Sequence, residues 1–470
     1  MLAGGSDATQ QCPDSGDFGN TVSLIPTIRP GTGSATYFRQ MRKILLTGAV
    51  TAAMLVPSSA LANDEQILGG WFGNWHPPAT VAERMAAGSG VLTDAAIFAW
   101  GFGGADNPVC VHSAKSACSA PDVVSTRDLR KSLAAMAGSR VWASHTDLNY
   151  QRAGELAAML RNKSQRNALI KLLVQRTEAV GADGLDLDWE NFAFNDGASS
   201  WSSTRRVLNP TVRRLAKKLH ARGKLLSVTV PVGAAPLTAS GNPRLGGGYS
   251  VFDWKRLAAA ADRLNLMTYD YSFSSPGPIG PHSWVKQAVT AAKRSVAAAD
   301  RRKIVVGVPL YGKSWPTPGY GGQATVGECP DGWRPRSITP TFSLGAISAT
   351  ELANENGVRI KFARKAGEAT FRYSETAKGT YPKKVGTGKD RRTVTRTKEC
   401  QVSRTVWFGN HRTAIKRAKL ARKMKIGGVF AWNLASAQDQ LFTRYQQKWP
   451  RADGSDLTAP MPVSSPTPAE

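Results

Sequence analysis

Nothing among the five cysteines and six histidines has the spacing of metal ligands, which leaves no zinc-type centre to expect. No apolar run reaches the roughly 20 residues that a membrane-spanning helix needs. Acid is scarce as well: 34 Asp and Glu stand against 61 Lys and Arg, a formal net charge of +27. So large an imbalance marks attraction to a polyanion, for which cell-wall teichoic acid, nucleic acid and acidic glycans all qualify, although a solvated basic surface is the commoner cause. The positive residues are spread over helices and loops, with local density at Lys383-Lys384, Lys389 to Arg392 and Arg396 to Lys398. No nucleic-acid motif surrounds them, so no nucleic-acid partner is expected.

What is present begins with a 41% hydrophobic content, enough for a sizeable core. From Met41 the chain reads as two basic residues, an apolar run from Ile44 to Val56, and the small-x-small triplet Ala60-Leu61-Ala62. That is the pattern of a secretory signal over residues 41–62, with an uncleaved anchor as the alternative. Residues 1–40, rich in Gly, Ser, Thr and Pro, read as a leader or a start assigned too far upstream. Cleavage after Ala62 leaves about 400 residues, room for an elaborated barrel. The expected product is extracellular, monomeric and without a membrane span.

Cleavage also removes Cys12 and leaves Cys110, Cys118, Cys329 and Cys400, an even number in an exported chain. The expected pairs are Cys110 with Cys118 and Cys329 with Cys400, out of three possible connectivities.

Eight apolar strand candidates recur along the chain: Ile67 to Trp71, Ala95 to Trp100, Arg140 to Ala143, Gly184 to Trp189, Leu225 to Val230, Leu264 to Thr268, Ile304 to Leu310, and Gly428 to Trp432. Amphipathic segments such as Gln165 to Val180, Thr211 to Arg222, Ser283 to Ala299 and Arg412 to Lys423 lie between them. This alternation predicts an α/β fold, a (β/α)₈ TIM barrel. The stretch between the seventh and eighth strands is too long for a crossover and reads as an α+β insertion. The expected domains are a barrel over 63–315 and 405–448, the insertion over 316–404, and a Pro/Ser/Thr-rich tail over 449–470.

The most informative segment is Asp183-Gly184-Leu185-Asp186-Leu187-Asp188-Trp189-Glu190. Asp186, Asp188 and Glu190 alternate with Leu185, Leu187 and Trp189, the period of a strand with carboxylates on one face. In a barrel the acids face the axis. Like charges at i and i+2 raise one another's pKa, so one of the row holds a proton near neutral pH and can serve as a general acid. A solvated acidic edge or a calcium or magnesium site is the alternative, although such ions usually draw ligands from flexible loops.

Asp183-x-x-Asp186-x-Asp188-x-Glu190 resembles the DxxDxDxE signature of family 18 glycoside hydrolases. Met267-Thr268-Tyr269-Asp270 is similar to that family's MxYD at the end of the sixth strand, and Gly427-Gly428 to Trp432 to its eighth strand with a floor tryptophan. The resemblance runs from about Ile67 to Leu441. One departure is that many members end the third strand in Ser-x-Gly-Gly, where this chain reads Val141-Trp142-Ala143-Ser144-His145-Thr146.

The resemblance implies a retaining mechanism in which the substrate's own 2-acetamido oxygen is the nucleophile, an exception to the two-carboxylate scheme. It implies Glu190 as acid and then base, Asp188 as partner of the acetamido N–H, Asp186 exchanging a proton with Asp188, and Asp183, counted with the substrate-binding residues, supporting the row from below. Tyr269 would donate to the acetamido oxygen, Asp270 would contact the sugar beside Met267, and Trp432 would form the floor. Tyr311 is a further cleft candidate, and His145 a weaker one that reads as structural. Tyr269 and Trp432, like Trp71, Trp75 and Trp100, could also be core aromatics. No cofactor and no metal are implied. The expected substrate is chitin or another N-acetylglucosamine glycan, with peptidoglycan cleavage or non-catalytic glycan binding as alternatives; the positive charge leans toward an anionic cell wall and the insertion toward chitin.

Overall fold

The structure is a computed structural model that describes residues 66–111, 123–148, 150, 152–316, 325–326, 329–335 and 341–450. The signal segment, the Pro/Ser/Thr-rich tail beyond Pro450 and Cys118, and with it the expected Cys110–Cys118 pair, lie outside the described residues. Among those residues no helix is long and apolar enough to cross a membrane.

All eight apolar runs form strands: β1 Ile67–Gly73, β2 Asp94–Gly101, β3 Arg140–Thr146, β4 Gly184–Asp188, β5 Leu225–Pro231, β6 Arg263–Met267, β7 Ile304–Pro309 and β8 Gly428–Trp432. Each pairs in parallel with its neighbours, and β1 closes the circuit by pairing with both β2 and β8. Helices such as Lys163–Val180, Trp201–His220, His282–Ser295 and His411–Lys423 return the chain between strands. The result is a TIM barrel, with Val, Ile and Leu packed between strands and helices where their area leaves water.

The barrel interior is polar at both ends. At the lower end Asp94 accepts from Arg263 at 2.6 Å and Trp142 Nε1 at 2.9 Å, with Arg140 at 3.4 Å. Burial alone would raise the Asp94 pKa, but Arg263 and Arg140 hold it below its usual value. Aromatics including Trp71, Phe98, Trp142 and Phe430 fill the space above.

Between β7 and β8 the chain builds an antiparallel sheet that starts at Tyr311–Pro316 and ends at Arg392–Phe408. Its longest element is the hairpin of Glu368–Val385 with Arg392–Phe408, and helix Ala346–Glu355 packs against it. A disulfide joins Cys329 to Cys400 with Cα atoms 5.9 Å apart, the pairing expected from the sequence. The insertion grips the loop after β6 at three points. Fully buried Glu368 accepts the N–H groups of Ile279 and Gly280 at 2.6 and 2.7 Å, Trp315 Nε1 donates to the Phe273 carbonyl at 2.9 Å, and Lys313 reaches Asp270 at 2.7 Å.

Candidate active site

Strand β4 carries Leu185 and Leu187 outward into the helix-facing core, both fully buried, and turns Asp186 and Asp188 into the barrel. Asp186 is well held: its Oδ2 accepts from Trp71 Nε1 and Ser144 Oγ, each at 3.0 Å, and its Oδ1 from Thr229 Oγ1 at 2.8 Å. Donors from β1, β3 and β5 therefore fix it, and one acceptor site on Oδ1 remains for exchange with a neighbour. Among the described residues no group of three or more His, Cys, Asp or Glu is disposed to hold a metal ion.

Asp188 is equally deep, yet its Oδ1 has no hydrogen-bond partner. Burial, followed by the charges of Glu190, Asp186 and Asp147, raises its pKa well above the usual range. Glu190 sits one step higher at the mouth and is only partly exposed. Burial first, then Asp147 and Asp270, push its pKa up to about 8. Acid near neutral pH is what this row was expected to provide.

Tyr269 and Asp270 follow β6 and face the row from the other side of the mouth. The Tyr269 phenol is held well above its normal pKa by burial and then by Asp188, Glu190, Asp270 and Asp186, so it stays protonated as a donor. Gly307 on β7 makes room for it: a Cβ there would lie 2.7 Å from both the Tyr269 ring and the Leu266 carbonyl. Asp270 has φ +58, the left-handed region that a non-glycine residue seldom adopts. Lys313 Nζ pairs with its Oδ1, and the Tyr311 hydroxyl hydrogen-bonds to its carboxylate. Met267 is the buried last residue of β6. Trp432, half-buried at the end of β8, packs its ring 4.7 Å from Phe98 and 6.3 Å from Trp75, making an aromatic floor.

Two placements differ from the sequence reading. Asp183 is not in the cleft. It has the parity of Leu185 and Leu187, not that of Asp186, and precedes β4 at the opposite end of the barrel; exposed there, it accepts from the Val141 N–H at 2.8 Å. Trp71 is more than packing, since it donates to Asp186. His145 is structural: its Nε2–H donates to the Pro108 carbonyl and its Nδ1 accepts from Trp189 Nε1 at 2.8 Å.

Sequence reasoning missed Asp147, which follows β3 where the Ser-x-Gly-Gly turn was absent. Its buried carboxylate accepts the Glu190 N–H at 2.7 Å and the Asn191 N–H at 3.2 Å, while Asn191 Nδ2 donates back to the Asp147 carbonyl at 2.6 Å. The two segments are thus stitched together directly beneath the acid. Burial raises the Asp147 pKa to about 7 against the lowering effect of those N–H groups. Exposed rings of Trp75, Phe194, Tyr271 and Phe273 rim the same mouth.

This geometry can be set beside known proteins. The glycosyl hydrolases family 18 profile matches residues 147–437, well over half of the chain. The chain belongs to that family. The cortical fragment-lytic enzyme of Bacillus subtilis is 22% identical over 278 residues, 59% of this chain and 52% of that enzyme. Chitotriosidase-1 of Mus musculus is 29% identical over 177 residues, 33% of this chain and 35% of its own length. Among solved structures, the spore cortex-lytic enzyme SleL of Bacillus cereus superposes with a TM-score of 0.59 at 18% identity, covering 82% of this chain and 74% of that one. The likeness to SleL concerns the fold. The chain spans about half the length of the first curated relatives it matches.

Proposed function

We propose that this chain is a secreted, retaining hydrolase of β-1,4 bonds next to N-acetylglucosamine, and that its substrate is wall glycan of the peptidoglycan type. The observation that carries the chemistry is the orphaned, buried Oδ1 of Asp188 beside a protonated Glu190. A buried acceptor that no protein donor fills is costly unless something that enters the cleft supplies one, and a substrate acetamido N–H is such a donor.

Glu190 gives its proton to the glycosidic oxygen as the acetamido oxygen bonds to the anomeric carbon, and the leaving sugar departs with a free hydroxyl. The resulting oxazolinium is stabilised by Asp188, with Asp186 taking part in the proton exchange and Tyr269 donating to the acetamido oxygen. Glu190, now a carboxylate, takes a proton from the water that attacks the same carbon and displaces the acetamido oxygen from it; this restores the acid and the free acetamido group, and the second inversion retains configuration. Trp432 supplies the floor under the distorted sugar, and Asp270, held by Lys313 and Tyr311, meets the ring from the side.

Wall glycan is preferred because a cortical fragment-lytic enzyme is among the relatives this chain is similar to, and because a +27 chain is drawn to an anionic envelope. Chitin is the second reading, favoured by the inserted sheet, which reaches into the loop carrying Asp270. Mass spectrometry of products from purified peptidoglycan and from chitin oligosaccharides, incubated separately, tests this. Muropeptides ending in reducing N-acetylglucosamine support the proposal; N,N′-diacetylchitobiose from chitin alone transfers the assignment to chitin; no product from either refutes the hydrolase reading.

A further inference from the structure

From Cys400 through Gln438 the chain contains no Asp or Glu, although it includes helix His411–Lys423. Along that helix and just past its end, Arg412, Lys416, Lys419, Arg422 and Lys425 recur every three or four residues, about 5 Å apart along the axis. Such neighbours repel one another, so the row is a cost to the fold alone.

The row lines a groove. A cavity of about 410 Å³ is walled by Arg412, Lys416, Lys419 and, from helix Asp439–Lys448, by Arg444 and Lys448, with Phe362 beneath Arg412 at 4.2 Å. Lys419 and Lys448 also wall the next cavity, of about 740 Å³, together with Arg422, Lys423, Lys425 and Trp449. A third, of about 660 Å³, shares Arg422, Lys425 and Trp449 and reaches Leu68 and Thr93 at the lower end of the barrel. No carboxylate is among the residues lining any of the three, and among the described residues none of the lysines and arginines named above forms an ion pair with one. Trp449 adds a buried Nε1–H that has no acceptor.

We propose that this groove binds a linear polyphosphodiester of the cell envelope, one negative charge per repeat laid along the cation row. Arginine forks and lysine ammonium groups both suit phosphate. The groove offers no row of exposed aromatic rings on which bases could stack, which favours a phosphodiester with a plain backbone over single-stranded nucleic acid. Because it runs along the outer helices to the bottom of the barrel, polymer there leaves the cleft open, so the enzyme can be held on its matrix while it cuts. This deepens the wall-glycan reading and rests on it for the choice of polymer, not for the existence of the site.

The test uses the full chain as Glu190→Gln, so that nothing is cut, with poly(glycerol phosphate) as the probe. Lys419→Glu/Arg422→Glu is expected to weaken binding at least about tenfold and to flatten its salt dependence. Lys383→Glu/Lys384→Glu, on the basic hairpin of the insertion, is expected to change affinity less than about threefold although it removes the same charge. Equal weakening by both pairs, no weakening by the groove pair, or tighter binding of a single-stranded DNA of matched charge would each overturn the proposal. Matching thermal midpoints verify that the variants fold. With Glu190 restored, turnover of an uncharged N-acetylglucosamine oligosaccharide should be the same with and without the groove substitutions. Polymer binding without any turnover would sink the hydrolase reading and leave the groove standing; turnover without polymer binding would do the reverse.

Discussion

Replacing Asp147 by Asn separates charge from position beneath the acid. The Asn side chain keeps an oxygen for the Glu190 and Asn191 N–H groups, which lie 2.7 and 3.2 Å from Asp147 Oδ1, but it carries no charge. The pKa of Glu190 is raised to about 8 by burial and next by Asp147, so removing that charge should lower it by about one unit, while burial keeps it above the ordinary value. Glu190 acts as an acid only while protonated. Activity is therefore present below its pKa and lost as pH rises through about 8, and in Asp147→Asn the alkaline limb of kcat/KM should move down by about one pH unit. Asp147→Ala, which also removes the acceptor, should lower kcat further across the whole range. The assay is initial-rate hydrolysis of a neutral N-acetylglucosamine oligosaccharide from pH 4 to 10. A limb that stays put or moves upward in Asp147→Asn would refute the electrostatic reading. Stability supplies a second readout: between the ordinary carboxylate range and about pH 8 the folded chain holds protons that the unfolded chain has released, so thermal stability should decline as pH rises through that window, and less steeply in Asp147→Asn.

Three further outcomes are expected. Glu190→Gln should lose at least about 10³-fold in turnover with a melting temperature at neutral pH no lower than the parent's, since its backbone N–H still donates to Asp147 and no buried carboxyl is left to protonate; activity within tenfold of the parent would remove Glu190 from the mechanism. Glu368→Ala strands the buried Arg417 guanidinium and two N–H groups of the loop after β6, and should cost about 3 kcal/mol in denaturant unfolding; a loss under about 1 kcal/mol would mean that the clamp is not rigid. Gly307→Ala places a methyl group against the Tyr269 ring and the Leu266 carbonyl, and should cost about 1–3 kcal/mol and lower kcat more than it raises KM. Unaltered kinetics there would show that the Tyr269 position is not critical.

The barrel was legible because each strand is a short apolar run of the right length, and the carboxylate row because period-two alternation is a local property. The same periodicity, applied strictly, places Asp183 on the outer face; the motif match drew it into the site against its own parity. Asp147, Lys313 and Glu368 escaped notice for a different reason. Each owes its place to pairing between segments far apart in sequence: Asp147 to the adjacency of β3 and β4, Lys313 and Glu368 to the fold of the insertion over the loop after β6. Nothing in their immediate neighbours marks them. The cations of His411–Lys423 are visible as composition, but helical spacing rather than adjacency aligns them, whereas Lys383-Lys384 and Arg396 to Lys398 are close together in sequence and lie on the inserted hairpin.

Lys313, Trp315 and Glu368 tie the insertion to the loop that bears Tyr269 and Asp270, so the wall of the cleft and the chemistry at its floor cannot vary independently. Transplanting the inserted sheet from a relative in order to change which polymer enters would also replace the lysine that pairs with Asp270 and the carboxylate that pins Ile279 and Gly280. A graft that keeps these three residues should alter substrate choice alone, whereas one that loses them should disable the enzyme before its selectivity can be measured.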